Sequence, residues 1–177
     1  MDDTDGSPDV LVAGECLVDF LPERPGRLAT VEQFHRRAGG APANVAVRLA
    51  DLGPAPWFWT RIGDDDFGEF LAETLASAGL PDRFVRIDPD AKTSLAFVAH
   101  DDDADREFSF DHGRTADTRF ATGVVPDDAL DAVEWVVFGG ICLSAEPVRT
   151  AMFDLIERAG DRGCTVAFDP NARPELW

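Results

Sequence analysis

Short apolar runs of strand length alternate with helical patterns along the chain, and this alternation limits the possible folds more than any other feature. The strand-like runs cover residues 10–14 with 16–21, 57–62, 84–87, 135–138 and 164–168. Because strands separated by helices pair side by side, the pattern predicts an α/β fold with a doubly wound, mostly parallel sheet. The runs 94–99 and 107–110 predict an added β hairpin. With 177 residues, the chain is expected to form part of a single domain.

The first helix is expected to begin in the glycine-rich stretch that leads to Asn44 and to end at Gly53. Pro42 is compatible with a first helical turn, where the missing N–H is not needed. The spacing of Val45, Leu49 and Leu52 predicts that these three side chains face the core.

Two later helices carry their own start signals. Asp66 and Glu69 have the spacing of a capping box, ahead of an apolar face that includes Leu71. Ser144 is expected to cap the N-terminus of the helix that follows it. The strand at 164–168 is expected to be buried, since it is almost entirely apolar.

The composition argues against several classes of partner. The formal net charge is −18, from 34 acidic and 16 basic residues, and such a surface repels nucleic acid and anionic membranes. No apolar window is long enough to span a membrane, and the acidic N-terminus does not resemble a signal peptide, so we expect a cytoplasmic protein. Cys16, Cys142 and Cys164 lie far apart among apolar neighbours, which favours buried thiols over disulfides or a metal site.

The choice of charged residues is typical of proteins from salt-loving microbes. Lys92 is the only lysine, and the remaining basic residues are arginines. A dense carboxylate surface keeps a protein hydrated in strong salt, where the Debye length falls to about 3 Å and self-repulsion is screened. We therefore expect the melting temperature to rise as KCl is added into the molar range. Thermal melts in a KCl series check this expectation, and a melting temperature that stays flat or falls contradicts it.

The sequence offers no metal site and no Walker-type phosphate loop. Gly63 and Gly68 have the spacing of such a loop, but the lysine and the hydroxyl residue that it requires do not follow. The three histidines show no metal-ligand spacing, so no metal ligand is assigned.

Polar residues and glycines stand at three places suited to ligand binding. Asp19 follows the first apolar run, Gly39, Gly40 and Asn44 open the first helix, and residues 169–173 follow the last strand. In open α/β sheets, ligands bind outside the carboxyl ends of the strands. Carboxylates accept hydrogen bonds from hydroxyl groups, amides donate and accept them, and glycines admit a ligand close to the backbone, so together these residues suit a polyol. Singly, each also fits a plain structural role in a turn or at a helix start.

The glycine-rich stretch resembles the first signature of the PfkB, or ribokinase-type, carbohydrate kinases. The matching residues are Ala38-Gly39-Gly40-Ala41-Pro42-Ala43-Asn44-Val45-Ala46, with Gly53 and Gly63 at the family's spacing. Further resemblances to the family are Gly14-Glu15-Cys16-Leu17-Val18-Asp19-Phe20, Gly63-Asp64-Asp65-Asp66-Phe67-Gly68, Ala116-Asp117 and Asp169-Pro170-Asn171-Ala172-Arg173-Pro174-Glu175-Leu176-Trp177. The last of these looks like a stretch of fructokinases, so within the family the chain is most similar to a fructokinase.

The resemblance implies a ribokinase-like fold in which a small β lid, formed by strands around 15–37 and 94–111, covers a sugar. It implies an enzyme that transfers phosphate from ATP, with Mg²⁺, to a hydroxyl group of a small-molecule sugar. It also implies a homodimer formed through the lid.

The same resemblance assigns roles to individual residues. Asp19, Gly39, Gly40 and Asn44 would hold the sugar, and Phe97 and Phe110 would pack against its apolar face. Arg173 would lie near the sugar or the transferred phosphate, where its guanidinium suits developing negative charge, although a structural ion pair is the alternative role.

The resemblance also indicates what the chain is expected to lack. The family's second signature, a glycine-rich segment that forms the anion hole and ends in the general base, would lie beyond Trp177. We therefore expect the C-terminal part of the fold, the general base and most ATP-binding residues to be absent. A non-catalytic sugar-binding or oligomerisation module is the alternative to part of a kinase.

The identity of the sugar is left open between two classes. The lid run Phe110-Asp111-His112 departs from the Phe-Tyr-Arg run that fructokinases often carry, so a 2-keto-3-deoxygluconate-type kinase is an alternative. Ala41-Pro42-Ala43 and Pro170 favour a fructokinase.

Overall fold

The computed structural model of the chain describes residues 8–100, 106–110 and 115–172. Its strands and α-helices are, in chain order, β1 (Val10–Ala13), β2 (Leu17–Pro22), β3 (Phe34–Gly39), α1 (Ala41–Leu52), β4 (Trp57–Gly63), α2 (Asp66–Ser77), β5 (Val85–Asp88), β6 (Leu95–His100), β7 (Arg106–Phe110), α3 (Asp127–Leu130), β8 (Trp135–Gly139), α4 (Val148–Asp161) and β9 (Thr165–Asp169). Short 3₁₀ helices lie at Leu28–Thr30, Asp82–Phe84, Ala116–Thr118 and Gly140–Leu143.

The larger sheet is parallel throughout and has the strand order β5-β4-β1-β8-β9. From β1 the chain first builds outward through β4 and β5, and later returns to place β8 on the other side of β1. The predicted doubly wound, mostly parallel α/β sheet is confirmed. The order of the strands reverses between β1 and β8, which is where open sheets of this kind bind ligands.

The smaller sheet, which we call the lid, has the strand order β3-β2-β6-β7. β2 and β6 are parallel, whereas the β2–β3 and β6–β7 pairs are antiparallel, the latter being the predicted hairpin. The apolar pattern runs from residue 10 to residue 21 with one interruption, but its two parts belong to different sheets. The chain leaves the larger sheet after β1, passes through Glu15, and enters the lid as β2.

The two faces of the larger sheet support separate apolar cores. α1 and α2 pack on one face, and α3 and α4 pack on the other. Along β1, Val12 belongs to the first core, whereas Leu11 and Ala13 belong to the second, as the two-residue period of a strand requires. Because helices cover both faces, the strand is apolar at every position.

The buried face of α1 differs from the prediction. Leu52 is 85% exposed and Val45 is also exposed, so two of the three residues expected to face the core do not. The buried residues of the helix are small: Pro42, Ala43 and Ala46. They are small because the helix lies against the sheet, where a Cβ atom added to Gly14 would come within 2.4 Å of the Pro42 ring. Gly53 follows the last helical residue, as predicted.

The N-cap of α2 is one residue earlier than predicted. Asp65, not Asp66, caps the helix, and its Oδ1 atom accepts hydrogen bonds from the N–H groups of Phe67 and Gly68 at 3.1 and 2.9 Å. This carboxylate therefore fills the position that a bound phosphate would need at the helix N-terminus.

Ser144 does not cap α4, contrary to the prediction. Its hydroxyl group donates a hydrogen bond to the carbonyl of Ile141 at 2.7 Å, within the preceding turn. The helix begins four residues later, and Glu146 accepts a hydrogen bond from the N–H of Thr150 at 3.2 Å in its first turn. Cap assignment fails because the polar residue nearest to a helix start in sequence need not point at its free N–H groups.

The prediction that β9 is buried is also wrong. Val166 and Phe168 are exposed, although Phe168 stacks on Phe138 of the neighbouring strand with ring centroids 4.8 Å apart. Among the described strands, β9 pairs only with β8, so it forms an edge of the larger sheet. An apolar sequence shows that a strand can be buried, not that a neighbour covers it.

Two further sequence expectations concern the cysteines and the helices. Cys16 and Cys142 are buried and Cys164 is partly buried, and all three are free thiols, as expected. Within the described ranges, no helix has the length and hydropathy that a membrane crossing requires.

Candidate functional site

The N-terminus of α1 lies against the carboxyl ends of β1 and β8. Cβ atoms added to Gly14, after β1, and to Gly139, at the end of β8, would lie 2.4 and 3.0 Å from the ring of Pro42. The end of β9 also reaches this place, since a Cβ atom on Gly140 would lie 2.0 Å from the carbonyl oxygen of Pro170. The strand-end groups that the sequence singled out therefore converge at one edge of the sheet.

Asp19 and Gly39 form the first part of the site. Asp19 lies on β2, opposite Arg37 of β3, and is partly buried. A Cβ atom at Gly39 would lie 2.1 Å from Oδ2 of Asp19, so the carboxylate occupies the space that any larger residue would fill. Burial raises the pKa of the Asp19 carboxyl above its usual range.

Gly40 and Asn44 form the second part. Gly40 has a φ of +101°, a backbone conformation that favours glycine, and it directly precedes α1. The N–H of Asn44 donates to the carbonyl of Gly40 at 2.9 Å, which places Asn44 in the first helical turn with its side chain exposed. The structure thus brings Asp19, Gly39 and Gly40 together and sets Asn44 one turn away.

Phe97 does not share the Asp19 face of the lid. In the register of β2 and β6, Asp19 lies beside Ala96 and Phe20 beside Phe97, and neighbouring positions of a strand face opposite sides. The ring of Phe97 stacks on Phe20 at a centroid distance of 4.9 Å and meets the edge of Phe34 at 5.6 Å. The structure therefore places Phe97 in an aromatic cluster on the far face of the lid.

Two other predicted residues are described incompletely or not at all. The backbone of Phe110 pairs with that of Ala96 in the lid, and its side chain lies outside the described part of the structure. Arg173 also lies outside the described residues. Just before it, Asn171 has a φ of +36° and its N–H donates to Oδ1 of Asp169 at 3.0 Å.

Two buried carboxylates behind the site were not assigned a role by the sequence interpretation. Glu15 is 1% exposed, and one of its oxygens accepts a hydrogen bond from the N–H of Ala41 at 3.2 Å. Asp117 is 4% exposed, and its Oδ1 atom accepts hydrogen bonds from the hydroxyl groups of Ser94 and Thr115. In the sequence, each acidic residue stands next to small or apolar residues. That setting is the signal that could have marked these two carboxylates as buried.

The described residues do not fit a Mg²⁺ site. No group of three or more histidine, cysteine, aspartate or glutamate side chains in the described ranges is arranged to hold a metal ion. The acidic turn at 101–105 lies outside those ranges. We therefore assign no metal contact to the described residues.

Residues 7–177 match the pfkB family carbohydrate kinase profile. The chain belongs to this family. The matched region includes the glycine-rich stretch and all the strands of the larger sheet and the lid.

Fructokinases are among the family members to which the chain is similar. It is 37% identical over 175 residues to the probable chloroplastic fructokinase-6 of Arabidopsis thaliana, covering 98% of this chain and 46% of that protein. It is 38% identical over 169 residues to fructokinase-1 of Zea mays, covering 95% of this chain and 52% of that protein. The chain therefore spans about half the length of these curated relatives.

A solved structure shares the fold of this chain. The crystal structure of a fructokinase from Xylella fastidiosa with bound ATP superposes with a TM-score of 0.84 at 36% identity. The match covers 95% of this chain and 50% of that one. The ribokinase-like fold that the sequence resemblance implied is therefore confirmed for the described part of this pfkB family member.

Proposed function

We propose that this chain supplies the sugar-binding part of an ATP-dependent carbohydrate kinase, and that its sugar is fructose. The observation that carries the proposal is the Asp19 carboxylate, which lies over the Gly39–Gly40 turn at the carboxyl ends of the strands. The similarity to fructokinases, one of them solved with ATP bound, supports the choice of reaction and of sugar.

The geometry suits a polyhydroxylated ligand. The Asp19 carboxylate can accept hydrogen bonds from two neighbouring hydroxyl groups, and the exposed amide of Asn44 can donate one and accept another. Gly39 leaves room for the Asp19 carboxylate to lie directly over the turn, and Gly40 lets the turn pack closely on the backbone of Glu15. Partial burial of Asp19 strengthens its hydrogen bonds to a sugar, because fewer water molecules compete for the carboxylate.

Phosphoryl transfer depends on holding the acceptor hydroxyl in line with the phosphate donor. In this proposal, Asp19 and Asn44 orient the sugar, and Arg173 stabilises the charge of the transferred group. ATP and Mg²⁺ are required by the proposed reaction. The homodimer through the lid, the contact of Phe110 with the sugar and the cytoplasmic location stay predictions.

Replacing Asp19 with asparagine should weaken fructose binding by about 10- to 100-fold, since hydrogen bonds to a charged acceptor contribute about 1.5–3 kcal/mol. The amide has the same shape, so it should still fit over Gly39 and the melting temperature should be retained. Isothermal titration calorimetry of both proteins with fructose measures the change.

Asp51→Asn is the matched control, because Asp51 is exposed near the far end of α1 and, among the described residues, forms its ion pair with Arg48 on the surface. Its fructose affinity should equal that of the unmodified chain. Equal affinities for all three proteins would remove Asp19 from the site, and tighter binding of 2-keto-3-deoxygluconate than of fructose would change the assigned substrate.

A further inference from the structure

The side chain of Glu15 lies at the junction between the larger sheet, the lid and α1. The chain passes through Glu15 as it leaves β1 for β2, and the residue is almost completely buried. One carboxylate oxygen accepts a hydrogen bond from the N–H of Ala41, the first residue of α1, at 3.2 Å. The other oxygen lies 3.9 Å from the sulfur of Cys142, which follows β8. A single side chain thus contacts the start of the helix and the segment after a neighbouring strand.

The backbone of Glu15 contacts the same turn. A Cβ atom on Gly40 would lie 2.5 Å from the carbonyl oxygen of Glu15 and 3.3 Å from the Cα atom of Cys16. Gly40 therefore packs directly on the chain at Glu15, while the next residue donates its N–H to the Glu15 carboxylate. The backbone of Glu15 therefore packs on Gly40 and its carboxylate binds Ala41, the two residues that join the glycine turn to α1.

The surroundings of Glu15 are acidic or neutral. The titratable groups that face it are Asp117, from the 3₁₀ helix after the lid strands, Cys142, from the 3₁₀ helix after β8, and the adjacent Cys16. Within the described ranges, no arginine or lysine forms an ion pair with it. Burial, together with the negative charge of Asp117, raises the pKa of the Glu15 carboxyl to about 7, against the hydrogen bonds that lower it.

We propose that Glu15 is a positioning residue for the sugar site, which fixes the Gly39–Gly40 turn and the first turn of α1 to the end of β1. The proposal rests on the assignment of that turn and of Asn44 to sugar binding. Glu15 does not touch the sugar itself. It acts indirectly, because it fixes the positions of the turn's backbone and of the Asn44 amide.

The raised pKa gives the proposal a spectroscopic signature. The Ala41 N–H donates to a carboxyl group that changes its charge near pH 7, so the amide resonance of Ala41 should titrate there. Because the folded pKa is raised, the fold favours the protonated carboxyl. Its contribution to stability is complete below the ordinary value of 4.5, decreases as the pH rises toward about 7, and is lost above it.

Glu15→Gln and Glu15→Ala separate the role of the acceptor from that of the charge. Glutamine keeps an oxygen that accepts from Ala41 but cannot titrate, whereas alanine leaves that N–H without an acceptor. Glu157→Ala is the control, because Glu157 is exposed on α4. The readouts are the Ala41 amide resonance from about pH 5.5 to about pH 8.5, and fructose affinity by calorimetry.

We expect the Ala41 resonance to titrate in the unmodified chain and in Glu157→Ala, and to stay constant in Glu15→Gln. Fructose affinity should stay within about 3-fold in Glu15→Gln and fall about 10-fold in Glu15→Ala. Full affinity in a folded Glu15→Ala overturns the proposal, as does an Ala41 resonance that titrates equally in Glu15→Gln and in the unmodified chain.

If Glu15→Ala does not fold, Glu15→Gln is compared with the unmodified chain. The proposal then requires that the Ala41 resonance stops titrating in Glu15→Gln while the fructose affinity is kept. If the unmodified chain binds no fructose, the assigned function fails. The Ala41 titration then still shows whether Glu15 holds the start of α1.

Discussion

Gly40→Ala should destabilise the chain by about 3 kcal/mol and abolish measurable fructose binding. Alanine strongly disfavours the φ of +101° that Gly40 adopts, and strain of this kind costs about 1–3 kcal/mol. Its Cβ atom would also lie 2.5 Å from the carbonyl oxygen of Glu15, a backbone atom that cannot move aside alone, which adds a cost of about 1–3 kcal/mol. Urea denaturation measures the stability change, and calorimetry measures the loss of binding.

Gly53→Ala is the matched control at the other end of α1. Gly53 has an extended φ of −179°, and a Cβ atom built on it meets nothing within 4 Å. We expect a change within about 0.5 kcal/mol and unaltered fructose affinity. Similar effects of the two substitutions would show that the turn before α1 is not held as described.

Asp88→Ala should destabilise the chain by about 3 kcal/mol, because it removes a charge-assisted hydrogen bond to Arg61, worth about 1.5–3 kcal/mol, and leaves the N–H of Asp90 without its acceptor. Asp88 is 1% exposed, and its Oδ2 atom lies 2.8 Å from Nε of Arg61 and 3.4 Å from Nε of Arg119. Its Oδ1 atom accepts a hydrogen bond from the N–H of Asp90 at 2.9 Å. This carboxylate therefore ties the end of β5 to β4 and to the segment after the lid.

The pH dependence of this contribution follows from the same contacts. Burial alone would raise the pKa of Asp88, but the hydrogen bond from Asp90 and the charges of Arg61 and Arg119 lower it below its ordinary value of 3.8. With a lowered folded pKa, the stabilisation is complete above that ordinary value and is lost as the pH falls through the folded pKa.

Chemical denaturation of Asp88→Ala at neutral pH checks the predicted loss. Asp51→Ala is the control, since Asp51 forms an exposed pair with Arg48, and such pairs contribute about 0–1 kcal/mol. A loss for Asp88→Ala no larger than that for Asp51→Ala would contradict the assigned role.

The order of strands and helices could be predicted from the sequence because it depends on local patterns. Runs such as 57–59 and 135–138 are apolar on both faces, as strands covered by helices must be. The apolar pattern alone does not show the passage of the chain from one sheet to the other at Glu15, because it continues across that residue, and only the family resemblance implied lid strands from about residue 15. Likewise, Val45 and Leu52 have the spacing of a core face, but the close approach of α1 to the sheet selects smaller residues.

The proximity of Asp19 to Gly39 and Gly40 was predictable, because a family signature and a strand end marked these residues, and their role in sugar binding stays a prediction. The faces of the lid were not predictable, because the side to which Phe97 points depends on the register of β2 with β6. The role of Glu15 was not predictable either. An acidic residue becomes a buried acceptor only when α1 and the segment after β8 close over it.

The central claim is that the turn before α1 and the Asp19 carboxylate bind a sugar. The most direct measurement is the change of amide resonances in the isotopically labelled chain as fructose is added to millimolar concentrations. We predict that the largest changes fall on Gly39 to Asn44 and on residues next to Asp19, and that Asp19→Asn removes them. An unchanged spectrum, or changes centred elsewhere, such as on the loop at residues 23–33, would contradict the claim.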